Sequence, residues 1–146
     1  MMETWPLLAC LASTLYMTGV IAVVQWVHYP LFERVERAAF PPYHAEHVRL
    51  MTYVVFAPMV IELLTSAWLA MWPPRGSDGW LSAAGLLAAI VTWILTAGVS
   101  VPLHNRLARG FEAVAHRALV RSNALRTAAW LAHSAIVLTM AAGALR

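Results

Sequence analysis

Long uninterrupted apolar stretches dominate the chain, running roughly from Trp5 to Val27, Met51 to Trp72, Trp80 to Leu103 and Leu125 to Leu145. Each is close to the ~20 residues that a helix needs to cross ~30 Å of hydrocarbon. Backbone N–H and C=O groups find no water inside lipid and must pair within their own segment or in a closed barrel. These stretches lack the two-residue alternation of barrel strands. The pattern predicts an all-α integral membrane protein, an antiparallel four-helix bundle built as one transmembrane domain over the 146 residues. The first stretch is expected to remain in the mature protein: no basic region precedes it, it exceeds the ~7–15 apolar residues of a signal peptide, and no small-x-small cleavage pattern follows.

Proline and glycine punctuate this division. Pro30 is expected to end the first span, Pro41-Pro42 to open the approach to the second, and Pro73-Pro74-Arg75-Gly76-Ser77-Asp78-Gly79 to make a tight turn that turns spans two and three into a hairpin. The other two connections, from about His28 to Arg49 and from His104 to Asn123, are longer and more polar. Leu31, Val35 and Phe40 in the first, and Leu107, Phe111, Val114 and Ala118 in the second, leave two readings open. They form amphipathic segments on the membrane surface, or they extend the helices beyond the bilayer. Val27-His28-Tyr29-Pro30-Leu31 and Val101-Pro102-Leu103-His104 each close a span running in the same direction, a faint self-similarity that points to two helix pairs.

Composition agrees with a lipid solvent. A chain that is 61% hydrophobic and 12% charged, with mean hydropathy +0.67, is not a water-soluble globule. All cations are Arg. Eight of them (Arg34, Arg37, Arg49, Arg106, Arg109, Arg117, Arg121 and Arg126) fall in the first and third connections, and only Arg75 and Arg146 lie at the other end. By the positive-inside rule this puts both termini and the Pro-Pro turn on the non-cytoplasmic side, which in a bacterial inner membrane is the periplasm. The net charge of +3 then reflects a basic rim facing anionic headgroups and gives no argument for nucleic acid. The single Cys10 has no second thiol for a disulfide, a redox pair or a metal clip.

Two polar layers carry the candidate chemistry. Glu62 stands near the middle of span two, where an acidic residue costs ~3 kcal/mol on the insertion scale. Val54, Val55, Phe56, Val60, Ile61, Leu63, Leu64 and Leu69, at roughly 0.3–0.6 kcal/mol each, about cancel that cost. Matching residues by depth places Tyr16, Glu62, Thr92, Trp93 and His133 in one central layer. A Glu–His pair there is a proton relay or metal ligand set, or equally an interhelical hydrogen bond made for packing.

The second layer lies at the arginine-rich edge and gathers Gln25, Trp26, His28 and Tyr29, then Tyr43, His44, Glu46 and His47, then His104, Asn105 and Arg106, and finally Asn123 and Arg126. His44 and His47 are three apart and share a helical face, so with His28 they are candidate ligands for a metal ion, or axial ligands of a haem. The Trp and Tyr residues also serve as interfacial anchors without any cofactor. No Gly-rich phosphate loop follows a strand, there is no Gly-x-Ser-x-Gly elbow, and one Cys cannot ligate an iron–sulfur cluster.

Val101-Pro102-Leu103-His104-Asn105-Arg106 closing span three, and Arg121-Ser122-Asn123-Ala124-Leu125-Arg126-Thr127 leading into span four beside Trp130, resemble the anthrone oxygenase-like family of small four-helix membrane proteins. The resemblance covers the whole chain in layout and these two stretches in residue detail. It implies cofactor-independent oxygenation of an activated phenolic or anthrone-type substrate to a quinone, with Asn105, Arg126 and Trp130 at the matching positions. The histidine-rich approach to span two departs from that pattern and is similar instead to haem-binding helical membrane proteins of the protoporphyrinogen oxidase and copper-resistance type. Taken together, the residues propose His104, Asn105, Arg126, Glu62 and His133 as catalytic and Gln25, Trp26, Tyr29 and Trp130 as contacts for a lipid-soluble aromatic or quinone-like molecule. They leave open whether a haem or metal ion is bound at all. The competing class is a non-catalytic accessory or assembly subunit in which the same polar groups fix helix packing; the partners expected are the lipid bilayer and either a second copy in a homo-oligomer or a membrane complex.

Overall fold

The computed structural model describes residues 4–145, so Arg146, counted above in the charge balance, lies outside them. Four helices pack antiparallel: α1 over Trp5–Arg34, α2 over Phe40–Met71, α3 over Gly79–Leu107 and α4 over Ala113–Ala144. All four are long and apolar enough to cross a membrane, which makes the chain a small multi-pass membrane protein. They form a square in which α1 and α3 each pack against both α2 and α4.

The second and fourth helices begin far earlier than the apolar stretches do, at Phe40 instead of Met51 and at Ala113 instead of Leu125. Pro41 and Pro42 stand in the first turn of α2, where a missing N–H costs nothing because that donor has no intrahelical partner. With 32 residues each, α2 and α4 are about 48 Å long, well over the ~30 Å of a hydrocarbon core. The exposed aromatics show where the surplus sits. Trp5 and Trp26 are exposed on α1, and the rise between them is about 31 Å, one bilayer core. Trp68, Trp72 and Trp80 share the Trp5 level and are likewise exposed, and Tyr53 of α2 is 73% exposed toward the other level. Two aromatic belts thus bound the lipid, and the first turns of α2 and α4 stand beyond it. Of the two readings for the connections, the fold displays helical extension: Phe40 and Leu107 are fully buried against Phe32, Ala115 and Leu119.

Pro30 does not end the first helix. A π-helical turn at Val24–His28 precedes it, and the helix continues through Tyr29–Leu31 and a 3₁₀ turn at Phe32–Arg34. In an unbroken α-helix the Pro30 ring would strike the Trp26 carbonyl and remove one bond from the ladder. A π turn carries one extra residue just ahead of that point and widens the spiral, so the strain is absorbed locally. The same device recurs in α3, where a π turn at Thr96–Ser100 precedes Pro102. Each half of the molecule therefore has one plan: a helix with a π turn and a proline, a five-residue connection (35–39 or 108–112), then a 32-residue helix. This is the physical content of the self-similarity seen around Pro30 and Pro102.

At the opposite end the 73–78 turn carries Gly76 in the left-handed region at φ 72°, with its backbone lying directly on that of Gly143. A Cβ on either glycine would run into the carbonyl of the other. Two apolar clusters fill the bundle. One surrounds Phe32, Phe40, Leu107 and Trp130 at the arginine-rich end, and the other surrounds Cys10, Leu69, Val137 and Met140 toward the turn.

Candidate functional site

The central layer forms around Glu62, which is fully buried on α2. From α4, His133 Nδ1 lies 2.9 Å from Glu62 Oε1, and Trp130 Nε1 donates to both carboxylate oxygens at 3.0 and 3.1 Å. His133 Nε2 is 3.4 Å from the Ser66 hydroxyl, which is 3.4 Å from Cys10 Sγ on α1. All five side chains are at most 2% exposed. Thr92 is buried but turns its hydroxyl to the Ala89 carbonyl, and Trp93 donates to the Met59 carbonyl, so neither reaches Glu62. Tyr16, expected in this layer, faces outward at 47% exposure and lines an open apolar groove between α1 and α2. Depth matching places a residue along a helix but says nothing of its azimuth, which is why Tyr16 fails. Trp130, expected as a contact for a bound aromatic molecule, belongs to this layer by its Nε1.

At the arginine-rich edge four histidines do come together. His28 and His47 have ring centroids 5.0 Å apart, His44 and His47 6.3 Å, and His47 and His104 5.8 Å. A hydrogen-bonded chain runs through three side chains: the Tyr29 hydroxyl is 3.0 Å from His104 Nε2, and His104 Nδ1 is 2.9 Å from His44 Nε2. His44 Nδ1, at the far end, is buried without a partner. Among the described residues no group of three or more His, Cys, Asp or Glu is arranged to hold a metal ion, and of the candidate ligands His44 spends its Nε2 on His104. Phe32, fully buried, packs its ring edge-on against His44 and His47 and holds them in place.

Several edge residues point elsewhere. Trp26 is 67% exposed and Asn105 and Arg106 are exposed, Arg106 being paired with Glu112. Glu46 is exposed and pairs with Arg49 on its own helix face. Tyr43 is also exposed. Gln25 accepts from Asn123 Nδ2 at 2.8 Å, a bond that ties α1 to α4.

Arg126 is the one arginine buried among the described residues, at 5% exposure. Its Nη1 donates to Ser100 Oγ and Asn123 Oδ1, both at 3.3 Å, and its Cζ stands 5.4 Å from the centroid of the Trp130 ring. Its Nε has no partner. None of its hydrogen-bond partners is a carboxylate.

These groups meet in a cavity of about 130 Å³. Ile21, Val24 and Tyr29 of α1 and Arg126 of α4 form its floor, with His47 and His104 beside them. Its mouth lies between α2 and α3, where the lining residues Val48, Thr52 and Val101 are exposed. Both π turns border it, through Val24 on one side and Thr96 and Ser100 on the other. In an unbroken helix the register would differ by one residue, and Tyr29 and His104 would face away.

His116 is the site residue that sequence reasoning missed. It is buried at the start of α4, and its Nε2 donates to the Tyr29 carbonyl at 2.8 Å while Nδ1 stands 3.2 Å from Glu33. It thereby fixes the backbone of the residue that opens the hydrogen-bonded chain. The only signal was its place one helical turn into α4, at the depth of the other histidines. No family model, curated protein or solved structure matches this chain.

Proposed function

We propose that the protein binds the ring of a lipid-soluble phenol, anthrone or quinol in the cavity between α2 and α3 and supports its oxidation by dioxygen. In this reading the arginine-rich end faces the cytoplasm and both termini lie across a bacterial inner membrane. The observation that carries the reading is the cavity itself. It opens sideways between two helices at the lipid boundary, and it brings a hydrogen-bonded Tyr29–His104–His44 chain and a buried guanidinium to one apolar chamber. Its volume of about 130 Å³ is close to the ~150 Å³ of a buried apolar cavity that takes benzene. One ring of a fused system fills it, and the rest of the molecule lies in the mouth against lipid.

The chemistry follows from these residue types. An activated ring CH₂ loses a proton to His104, acting directly or through the Tyr29 hydroxyl, and the resulting anion is stabilised by donors on the cavity floor. The anion passes its electrons to O₂. One oxygen atom becomes the new ring carbonyl and the other leaves as water with both hydrogens of the CH₂, so that CH₂ + O₂ gives C=O + H₂O.

The test is oxygen uptake by protein in lipid nanodiscs supplied with anthrone. One O₂ per anthrone is expected, with loss of most of the rate in His104→Ala and Tyr29→Phe. Uptake no faster than in protein-free nanodiscs, together with no binding of anthrone, overturns the reading in favour of a non-catalytic membrane subunit.

A further inference from the structure

We infer that the cavity takes its ring as an anion, with Arg126 as the counter-ion, so that the ligand is an acidic phenol or enol and not a neutral quinone. The inference rests on the cavity being a ring-binding site and adds the charge of the occupant. Arg126 cannot shed its proton inside a protein. A buried charge that finds no opposite charge is costly, and buried arginines in membrane segments pair with carboxylates or turn to a water-filled cavity or a ligand. Here the nearby carboxylate is already taken, since Glu62 accepts from Trp130 and sits against His133. The side chains that Arg126 meets, Ser100, Asn123 and the Tyr29 hydroxyl, carry no carboxylate, and its Nε is unpartnered although the residue is 5% exposed. The guanidinium lines the cavity, so the missing negative charge is one that an occupant brings.

The same cavity supplies a route for the proton that ionisation releases. In one arrangement Tyr29 donates to His104 Nε2, His104 donates from Nδ1 to His44 Nε2, and His44 carries its hydrogen on the unpartnered Nδ1. When the ligand O–H bond breaks, its proton goes to the Tyr29 oxygen. The Tyr29 proton moves to His104 Nε2 and the His104 Nδ1 proton moves to His44 Nε2, where it stays as an imidazolium, because the buried Nδ1 of His44 has no acceptor to pass a proton to. Every hydrogen bond is then reversed, and Tyr29 joins Arg126 in donating to the new anion. The other titratable group at the cavity wall, His47, lies between His28 and His104 and takes no part in this chain.

The experiment compares 4-nitrophenol, whose anion alone has a visible absorption band, with the neutral isostere 4-nitroanisole, using protein in phosphatidylcholine nanodiscs well below the solution pKa of the phenol. Wild type should bind 4-nitrophenol and show the anion band. In Arg126→Gln the band should vanish and phenol affinity should fall about thirtyfold or more, with 4-nitroanisole binding little changed as proof of an intact cavity. Arg126→Lys should retain the band. Wild type that binds the phenol without the band, or that loses the band when phosphatidylglycerol replaces part of the lipid because its net-anionic headgroup occupies Arg126, overturns the inference while leaving the ring site standing. Failure of both rings to bind wild type overturns the ring site itself, and the inference with it.

Discussion

Among the described residues Glu62 and Arg126 are the buried acidic and basic side chains apart from the histidines, and their surroundings differ in one respect. Glu62, near the bilayer centre, is enclosed by donors: an indole N–H reaches both of its oxygens, and an imidazole lies against one of them. Arg126, one helical turn before Trp130 and over the same indole ring, has neutral partners, a free Nε and a cavity beside it. Burial alone therefore does not separate a packing residue from a functional one. Completeness of partnering does, because a saturated polar group stabilises helix association whereas an unsaturated one is tolerated only where something else arrives to complete it. The comparison also bears on Ser66 and Cys10, which extend the Glu62–His133 array into the apolar cluster nearer the turn and belong with the saturated set.

The largest expected effect tests the saturated side. Glu62→Leu leaves the Trp130 and His133 donors buried with no acceptor, and each such group costs about 1–3 kcal/mol. We expect thermal unfolding in detergent to show a loss of about 3 kcal/mol or more, against about 1 kcal/mol for Glu62→Gln, whose amide oxygen still accepts one of the bonds. Equal stability of Glu62→Leu and wild type would break the comparison at its first term. Next in size is Trp130→Phe, which keeps a ring under Arg126 but removes the donor that occupies Glu62. A loss of about 1–2 kcal/mol is expected by the same measurement. If ring binding in the cavity also falls by an order of magnitude or more, the two regions are energetically one site and the contrast between them must be redrawn.

Much of this architecture was legible in the chain because lipid leaves few choices. Four apolar runs and the Pro-Pro turn each have one cheap solution in a bilayer, and the four helices follow. Helix ends were less legible. Pro30 reads as a terminator in isolation, and only packing against α4, where His116 holds the Tyr29 carbonyl, shows that a π turn carries the helix past it. Azimuth was the hardest to read. Depth along a span comes from counting residues, but Tyr16, Trp26 and Asn105 reached the right level on the wrong face, and a π turn shifts the facing of everything after it by one residue. His28, His44, His47 and His104 were correctly brought to one end, since their separations fix the level and their number makes a shared face hard to avoid.

A smaller effect of opposite sign tests the unsaturated side. Arg126→Met removes a buried cation that has no counter-ion and replaces it with an apolar chain of similar reach. Replacing buried charged groups by well-packed apolar ones is often neutral or stabilising, so the ligand-free variant should unfold between 0 and about 1 kcal/mol higher than wild type. Destabilisation as large as that of Glu62→Leu would mean that Ser100, Asn123 and Trp130 already satisfy the guanidinium, and the distinction between the two buried charges would fail.

The smallest effect separates the cavity from the family resemblance. Asn105 occupies a position that the resemblance to anthrone oxygenase-like proteins marks as functional, yet it is exposed and lies one residue past His104 on the outward side of α3. A helical residue adjacent in sequence to a cavity-lining one points about 100° away from it. Asn105→Ala should therefore change stability by no more than about 0.5 kcal/mol, as exposed substitutions do, and leave both anthrone oxidation and 4-nitrophenol binding at wild-type levels. Loss of oxidation with ring binding intact would place the reacting face at the outer surface of α3, and Arg126 would then mark a binding seat separate from the chemistry.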